Sequence, residues 1–172
     1  MQVASGARFY PLDPRPEEIQ IEDVAHALGH LCRFAGHTSS FYTVAQHSVL
    51  VSRICEPQDA LWGLLHDASE AYLGDMVRPL KRQPEMASYQ EAEERLMAAI
   101  CERFGLPAAM PESVVRADEI ILATEARDLM GSETLERWSS LQGIEPLSER
   151  VVPWVPGTGA RLFLRRFREV AG

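Results

Sequence analysis

Cysteine is scarce and unpaired in this chain: Cys32, Cys55 and Cys101 lie far apart, with no C-x-x-C among them. That spacing excludes a disulfide framework and fits buried thiols in a reducing compartment. Excess positive charge is also missing, since 17 Lys and Arg stand against 25 Asp and Glu for a formal net charge of −8. Holding duplex nucleic acid by counterion release needs a basic surface, so that partner is set aside. A small anionic substrate stays open, because a local basic cluster can oppose the global field. No run of roughly 18 apolar residues occurs, and the opening MQVASGARFY has no hydrophobic core of a signal peptide. A soluble, cytoplasmic protein with no membrane partner is expected. Walker, G-x-S-x-G and Rossmann glycine patterns are absent as well, which leaves nucleophilic-serine and dinucleotide chemistry without support.

The remaining composition is that of an ordinary globular chain, with 46% hydrophobic and 24% charged residues over 172 positions. No repeat, low-complexity tract or Gly/Ser-rich linker divides it, so residues 1–172 read as one domain. The periodicity is helical, and no alternating stretch is long enough for a sheet. Helices are expected from about Glu22 to Arg33, from Thr43 to Cys55, and from Pro57 to Gly74. Asp75 to Pro84 reads as a proline-bounded loop. Further helices follow up to Phe104, from Pro111 to about Met130, from Thr134 to Leu141, and from Ala160 to Val170. VVPWVPGTG reads as extended loop, and a short strand near Phe9 would not alter the class. The expected fold is a single compact all-α bundle.

The informative feature is polar residues on faces that should be apolar. His47 shares a stripe with Val44 and Val51, beside Leu50 and Ile54. His66 and Asp67 sit amid Leu61, Leu64, Leu65 and Ala68. Asp118 shares a face with Val114, Val115, Ile121 and Leu122. Taken singly, each has a plain reading: a hydrogen-bonded core histidine, or an aspartate paired with an arginine. Taken together, two imidazoles and two carboxylates entering one interior are cheapest to explain if they meet at a cation. Such a donor set suits one divalent transition metal, cobalt, manganese, zinc or iron, better than calcium.

The order His47, then His66–Asp67, then Asp118 resembles the H…HD…D pattern of the HD-domain metal-dependent phosphohydrolases. HDASEAYLGDMVRPLK, from His66 to Lys81, is similar to the corresponding stretch of the bacterial HD-domain 5′-deoxynucleotidases, which read HDASE, then GD, then Pro-x-Lys. Arg33–Phe34 stands where those enzymes carry Arg–Trp, and the resemblance covers about Arg33 to Asp128. It implies an HD-type helical bundle with a metal site between core helices. It implies His47, His66, Asp67 and Asp118 as metal ligands and Glu70 as the group that orients or deprotonates the attacking water. It further implies that Asp75 accepts from the sugar 3′-hydroxyl and crowds a 2′-hydroxyl, that Arg33 and Lys81 hold phosphate oxygens, and that Phe34 offers a stacking face. Family members are usually dimers or larger rings, so a homo-oligomer is expected.

The chain departs from the family pattern in having Phe34 for Trp, a shorter segment between His47 and His66, and an added cation at Arg78. The function expected is hydrolysis of deoxynucleoside 5′-monophosphates to deoxynucleoside and phosphate. A deoxynucleoside triphosphate phosphohydrolase is the alternative, with Arg78, Lys81 and Arg82 holding the further phosphates. A non-catalytic nucleotide-binding module with a structural metal is the second alternative. Solvated-surface readings stand beside the functional ones for Glu70, Arg78 and Arg82. Glu125 and Asp128 follow Asp118 on nearly the same face, where one could hydrogen-bond a ligand histidine; the plain alternative is a helix-surface salt bridge. His26 and His30 have i, i+4 spacing on the first helix, with packing or exposure as the default reading. His37 is placed in a loop, and Trp62, Trp138 and Trp154 are assigned to packing or subunit contact.

Overall fold

Helix punctuation in the sequence is followed closely in the chain trace. The structure, a computed structural model, describes residues 1–131 and 133–172. In order come α1 (Ile21–His30), α2 (Val44–Ile54), α3 (Ala60–Leu65), α4 (Glu70–Leu73) and α5 (Arg78–Lys81). These are followed by α6 (Ala87–Phe104), α7 (Glu112–Leu129), α8 (Thr134–Arg137) and α9 (Gly159–Val170). Thr43 caps α2, its hydroxyl accepting from the Gln46 N–H at 3.2 Å. Gly105 closes α6 in the left-handed conformation at φ 67°, and the Leu106 N–H returns to the Cys101 carbonyl at 2.8 Å. Among the described residues the only extended pairings are the isolated bridges Gln2–Arg8 and Cys32–Thr43, so the fold is an all-α bundle. No helix among them is long and apolar enough to cross a membrane.

α2 is the hub. It packs against α1, α3, α7 and α9, and its residues are buried on several sides, including Val44, Ala45, Val49 and Val51. Polar side chains on so central a helix must be satisfied internally. Ser48 donates to the Val44 carbonyl and Ser52 to that of Ala60. Gln46 pins the C-terminal strap, donating to the Val152 carbonyl and accepting the Trp154 N–H. One apolar cluster joins Val24, Leu28, Val49, Leu64, Leu96, Ile100 and Phe163; another joins Val51, Trp62, Val114 and Ile121.

Four expectations change. The helix expected from Thr134 to Leu141 is interrupted at Trp138, whose extended backbone separates α8 from a 3₁₀ turn at Ser139–Leu141. The first helix stops at His30, because Cys32 is drawn out straight to bridge Thr43. The single helix expected from Pro57 to Gly74 is broken into a 3₁₀ turn at Pro57–Asp59, then α3, a tightened turn, and α4. In that turn the bonds run i to i+3, from Ala68 N–H to the Leu65 carbonyl and from Glu70 N–H to that of Asp67. Such overwinding rotates successive side chains away from a regular helical face. The loop from Asp75 to Pro84 contains the short helix α5.

α1 and α9 cross on two glycines. A Cβ at Gly29 would lie 2.7 Å from the backbone nitrogen of Ala160, and one at Gly159 would lie 3.1 Å from the Cα of Gly29. Gly29→Ala gains about 1 kcal/mol in helix propensity but costs about 1–3 kcal/mol in overpacking against backbone that cannot rotate away. The substitution is expected to lower the midpoint of urea unfolding; a raised midpoint would show that the two helices are not this close.

Candidate metal centre

His47 enters the core from the fourth position of α2, fully buried. Its Nδ1 lies 2.7 Å from Oε1 of Glu125, which projects from α7 and is 0% exposed. The same carboxylate accepts the Tyr42 hydroxyl at 2.7 Å and the Arg33 Nε–H at 2.9 Å. Burial raises the cost of ionising Glu125, but Arg33, His47 and Tyr42 outweigh it and hold the carboxyl below its ordinary range. An ionised carboxylate can only accept, so the His47 Nδ1 carries a proton and donates it.

His66 is set the same way by a different partner. Its Nδ1 donates to the Gly63 carbonyl at 2.8 Å. Gly63 also brings α3 hard against α2, since a Cβ there would lie 2.9 Å from the Cys55 sulfur and 3.1 Å from the Ser52 Cα. With both Nδ1 atoms committed, the two Nε2 atoms face each other at 3.1 Å. Asp67 Oδ2 lies 3.2 Å from the His66 Nε2 and 3.5 Å from that of His47, and Asp118 Oδ1 lies 3.2 Å from the His47 Nε2.

Lone pairs and carboxylates converging this way require a positive charge between them. A proton can serve: burial and the Arg33 guanidinium oppose it, but Glu125 and Asp118 prevail and push the His47 pKa up to about 9. A metal ion fits the donor set better, for His47, His66 and Asp67 each offer a ligand atom within 4.8 Å of the others. Asp118 completes an N₂O₂ set of the kind that transition metals take. The charges agree. Burial disfavours ionised Asp67 and Asp118, yet the histidines and Arg33 hold both well below the usual carboxylate range. With Glu125 that makes three carboxylates against one guanidinium, leaving two negative charges for one divalent cation.

The other expected site residues surround this cluster. Arg33 is 8% exposed, and its NH1 and NH2 lie 3.5 Å from Asp67 and 3.7 Å from Asp118. Directly after it, Phe34 and Ala35 both adopt left-handed backbone, at φ 55° and 51°. That conformation costs non-glycine residues about 1–2 kcal/mol each. It is held by the Asp75 carboxylate, which accepts the Phe34 N–H at 3.2 Å. The turn sets the Phe34 ring 5.0 Å from the Arg33 guanidinium and 6.2 Å from the Trp138 ring. Glu70 is buried, and its Oε2 has no hydrogen-bond partner among the described residues. Burial, with the carboxylates of Asp67 and Asp75, pushes its pKa well above the usual range. Burial likewise raises Asp75. Arg78 reaches Asp118 Oδ2 at 3.2 Å, and Lys81 pairs with Glu93 at 2.5 Å.

Asp128, weighed beside Glu125, turns elsewhere: it pairs with Arg127 at 2.7 Å and takes the Val151 N–H at 2.8 Å, fastening the C-terminal strap. His26 and His30 are exposed and stacked, with ring centroids 4.3 Å apart. Tyr42 escaped the sequence reading, because a tyrosine before a helix cap carries no pattern of its own. Glu125 was signalled only by its seven-residue spacing from Asp118, two helical turns on one face.

The fold and donor set define a helical protein with a His/Asp cluster able to hold a metal. The chain is 43% identical over 169 residues to the Uncharacterized protein YfdR of Escherichia coli (strain K12), an alignment spanning 97% of this chain and 93% of that one. It is 38% identical over 148 residues to an uncharacterized protein of Rhodobacter capsulatus, spanning 78% and 75% of the two chains. The chain belongs to the family that includes these two proteins. No protein-family model matches it.

Metal uptake at this cluster must displace the His47 proton, because Nε2 has to be free to ligate. With the metal-free pKa at about 9, apparent affinity is expected to climb as pH rises toward that value. The slope is about tenfold per pH unit for one displaced proton. Calorimetric Co(II) titrations between pH 6 and 9, in buffers of differing ionisation enthalpy, read both the slope and the proton released. An affinity independent of pH would place the metal elsewhere.

Proposed function

We propose that this protein is a metal-dependent phosphohydrolase of the HD-domain type. It cleaves the 5′-phosphate ester of deoxynucleotides, most simply deoxynucleoside 5′-monophosphates, to deoxynucleoside and phosphate. The observation that carries the reading is the pair of histidine Nε2 atoms facing at 3.1 Å between Asp67 and Asp118. A buried Glu70 carboxyl, its Oε2 without a partner among the described residues, lies one turn along the chain from Asp67. The H…HD…D order and the HDASE, GD and Pro-x-Lys stretch, by their resemblance to the HD-domain 5′-deoxynucleotidases, support the reading of family and substrate class.

A bound divalent cation would neutralise charge on the phosphoryl oxygens and make water more acidic. Glu70 then takes the proton of the attacking water. Its raised pKa makes it a stronger base than an exposed glutamate, and its burial keeps competing water off it. Asp75 spends one oxygen on the Phe34 N–H and keeps the other for the sugar 3′-hydroxyl. Arg78, with 46% of its side chain exposed, and Lys81 supply cations at the rim. Arg82 adds a third cation within the same five positions, which favours the triphosphate as a second reading.

Product analysis decides between them, using protein loaded with cobalt or manganese and the deoxy- and ribonucleoside mono-, di- and triphosphates. Orthophosphate from deoxymonophosphates is the expected product. Inorganic triphosphate would select the second reading, and no product with metal bound would leave a binding module. Glu70→Gln should cut turnover by about 10²–10⁴-fold while Co(II) still binds. Asp67→Ala should lose the metal itself, and a fully occupied site in that variant would refute the ligand set.

A further inference from the structure

We infer that the buried Arg33–Glu125 ion pair is the positioning unit of the metal ligands, with Arg33 committed to them and not to the substrate's phosphate. The inference rests on the metal reading above and departs from the phosphate role that the family resemblance implies for Arg33. One end of the pair, Glu125, fixes the ring and tautomer of His47 through the 2.7 Å contact to Nδ1. The other end spreads over the carboxylate ligands, NH1 toward Asp67 at 3.5 Å and NH2 toward Asp118 at 3.7 Å. The Nε–Oε2 bond of 2.9 Å joins the two ends, so a single ion pair touches three of the four ligands.

The guanidinium has little freedom to do anything else. Its three nitrogens face three carboxylates, and it is 8% exposed. Turning toward a phosphate would strip the countercharge from Glu125, which is 0% exposed. Leaving one member of a buried pair uncompensated is strongly unfavourable. A buried pair contributes little net stability over an apolar replacement, so orienting the ligands is the function that its geometry supports. Arg78 differs: it is half exposed and has one carboxylate contact, which makes it the cation free to meet a phosphate.

Two variants test the assignment without substrate. Arg33→Lys keeps the charge but cannot span three carboxylates, and Glu125→Gln keeps the shape but loses the charge. Each is expected to weaken Co(II) binding by about 10–100-fold and to shift the visible Co(II) absorption bands, with a folded circular dichroism spectrum. In turnover, Arg33→Lys is expected to lower kcat and leave KM for the nucleotide near the wild-type value. Wild-type Co(II) affinity and bands in both variants would overturn the inference, and so would a raised KM with unchanged bands in Arg33→Lys. Should Glu125→Gln fail to fold, Tyr42→Phe takes its place, removing one hydrogen bond to Glu125 and neither charge. A shifted band is expected there, and an unchanged band and affinity count against the assignment. Affinity and bands are read without nucleotide, so failure of the nucleotide reading does not touch them. A wild type that takes up no Co(II) overturns both.

Discussion

Three ionised carboxylates and two imidazoles meet a single guanidinium at the junction of α2 and α7, largely out of water. Such a concentration of like charge is the costliest feature of the molecule, and much of the surrounding chain answers to it. Tyr42 spends its hydroxyl on Glu125. Gly63 spends a main-chain carbonyl on His66. Arg33 is drawn into the interior, where arginine is rarely found unless paired. The contact between the facing Nε2 atoms is left for a positive charge, which a proton or a metal ion can supply.

The backbone bends to assemble this cluster in ways that cost energy locally. Two consecutive non-glycine residues in left-handed conformation follow Arg33, and the helix tightens where His66 and Asp67 turn inward. Strain of this kind persists only where neighbouring structure holds it in place. Here the holding bonds come from site residues themselves: Asp75 takes the Phe34 N–H, and Gly63 both admits α2 and accepts from His66. These two departures from regular helix therefore lie at the polar cluster, while α6, α7 and α9 run undisturbed.

That coincidence explains what could be read from the sequence. The long helices were legible because their apolar periodicity and their glycine and proline stops agree. So were His47, His66 and Asp118, since a polar residue on an apolar face stands out against its stripe. The break between α3 and α4 was not legible, because Leu61 to Tyr72 keeps helical spacing and the tighter winding shows only in the backbone bonds of the folded chain. The setting of Arg33 was hidden for a related reason. Its partner Glu125 lies 92 residues away, and nothing local to either residue signals a pairing made through tertiary structure. Motif resemblance singled out Arg33, which the fold places against Asp67, Asp118 and Glu125, but could not say which anion it faces.

The overall charge of −8 sharpens the role of a cation on the proposed reading. A phosphate ester approaching this protein meets an unfavourable global field, which a local positive patch must overcome. The rim cations are already partly spent, Arg78 on Asp118 and Lys81 on Glu93. Behind them Asp67, Asp118 and Asp75 repel an anion, and Arg33 offsets only part of that. On that reading a dication held by His47, His66, Asp67 and Asp118 would cancel the two excess negative charges of the cluster and remove the repulsion that a phosphate meets there. The same carboxylates that would repel a nucleotide would attract the metal, so the proposed reading requires the cation to bind before the substrate.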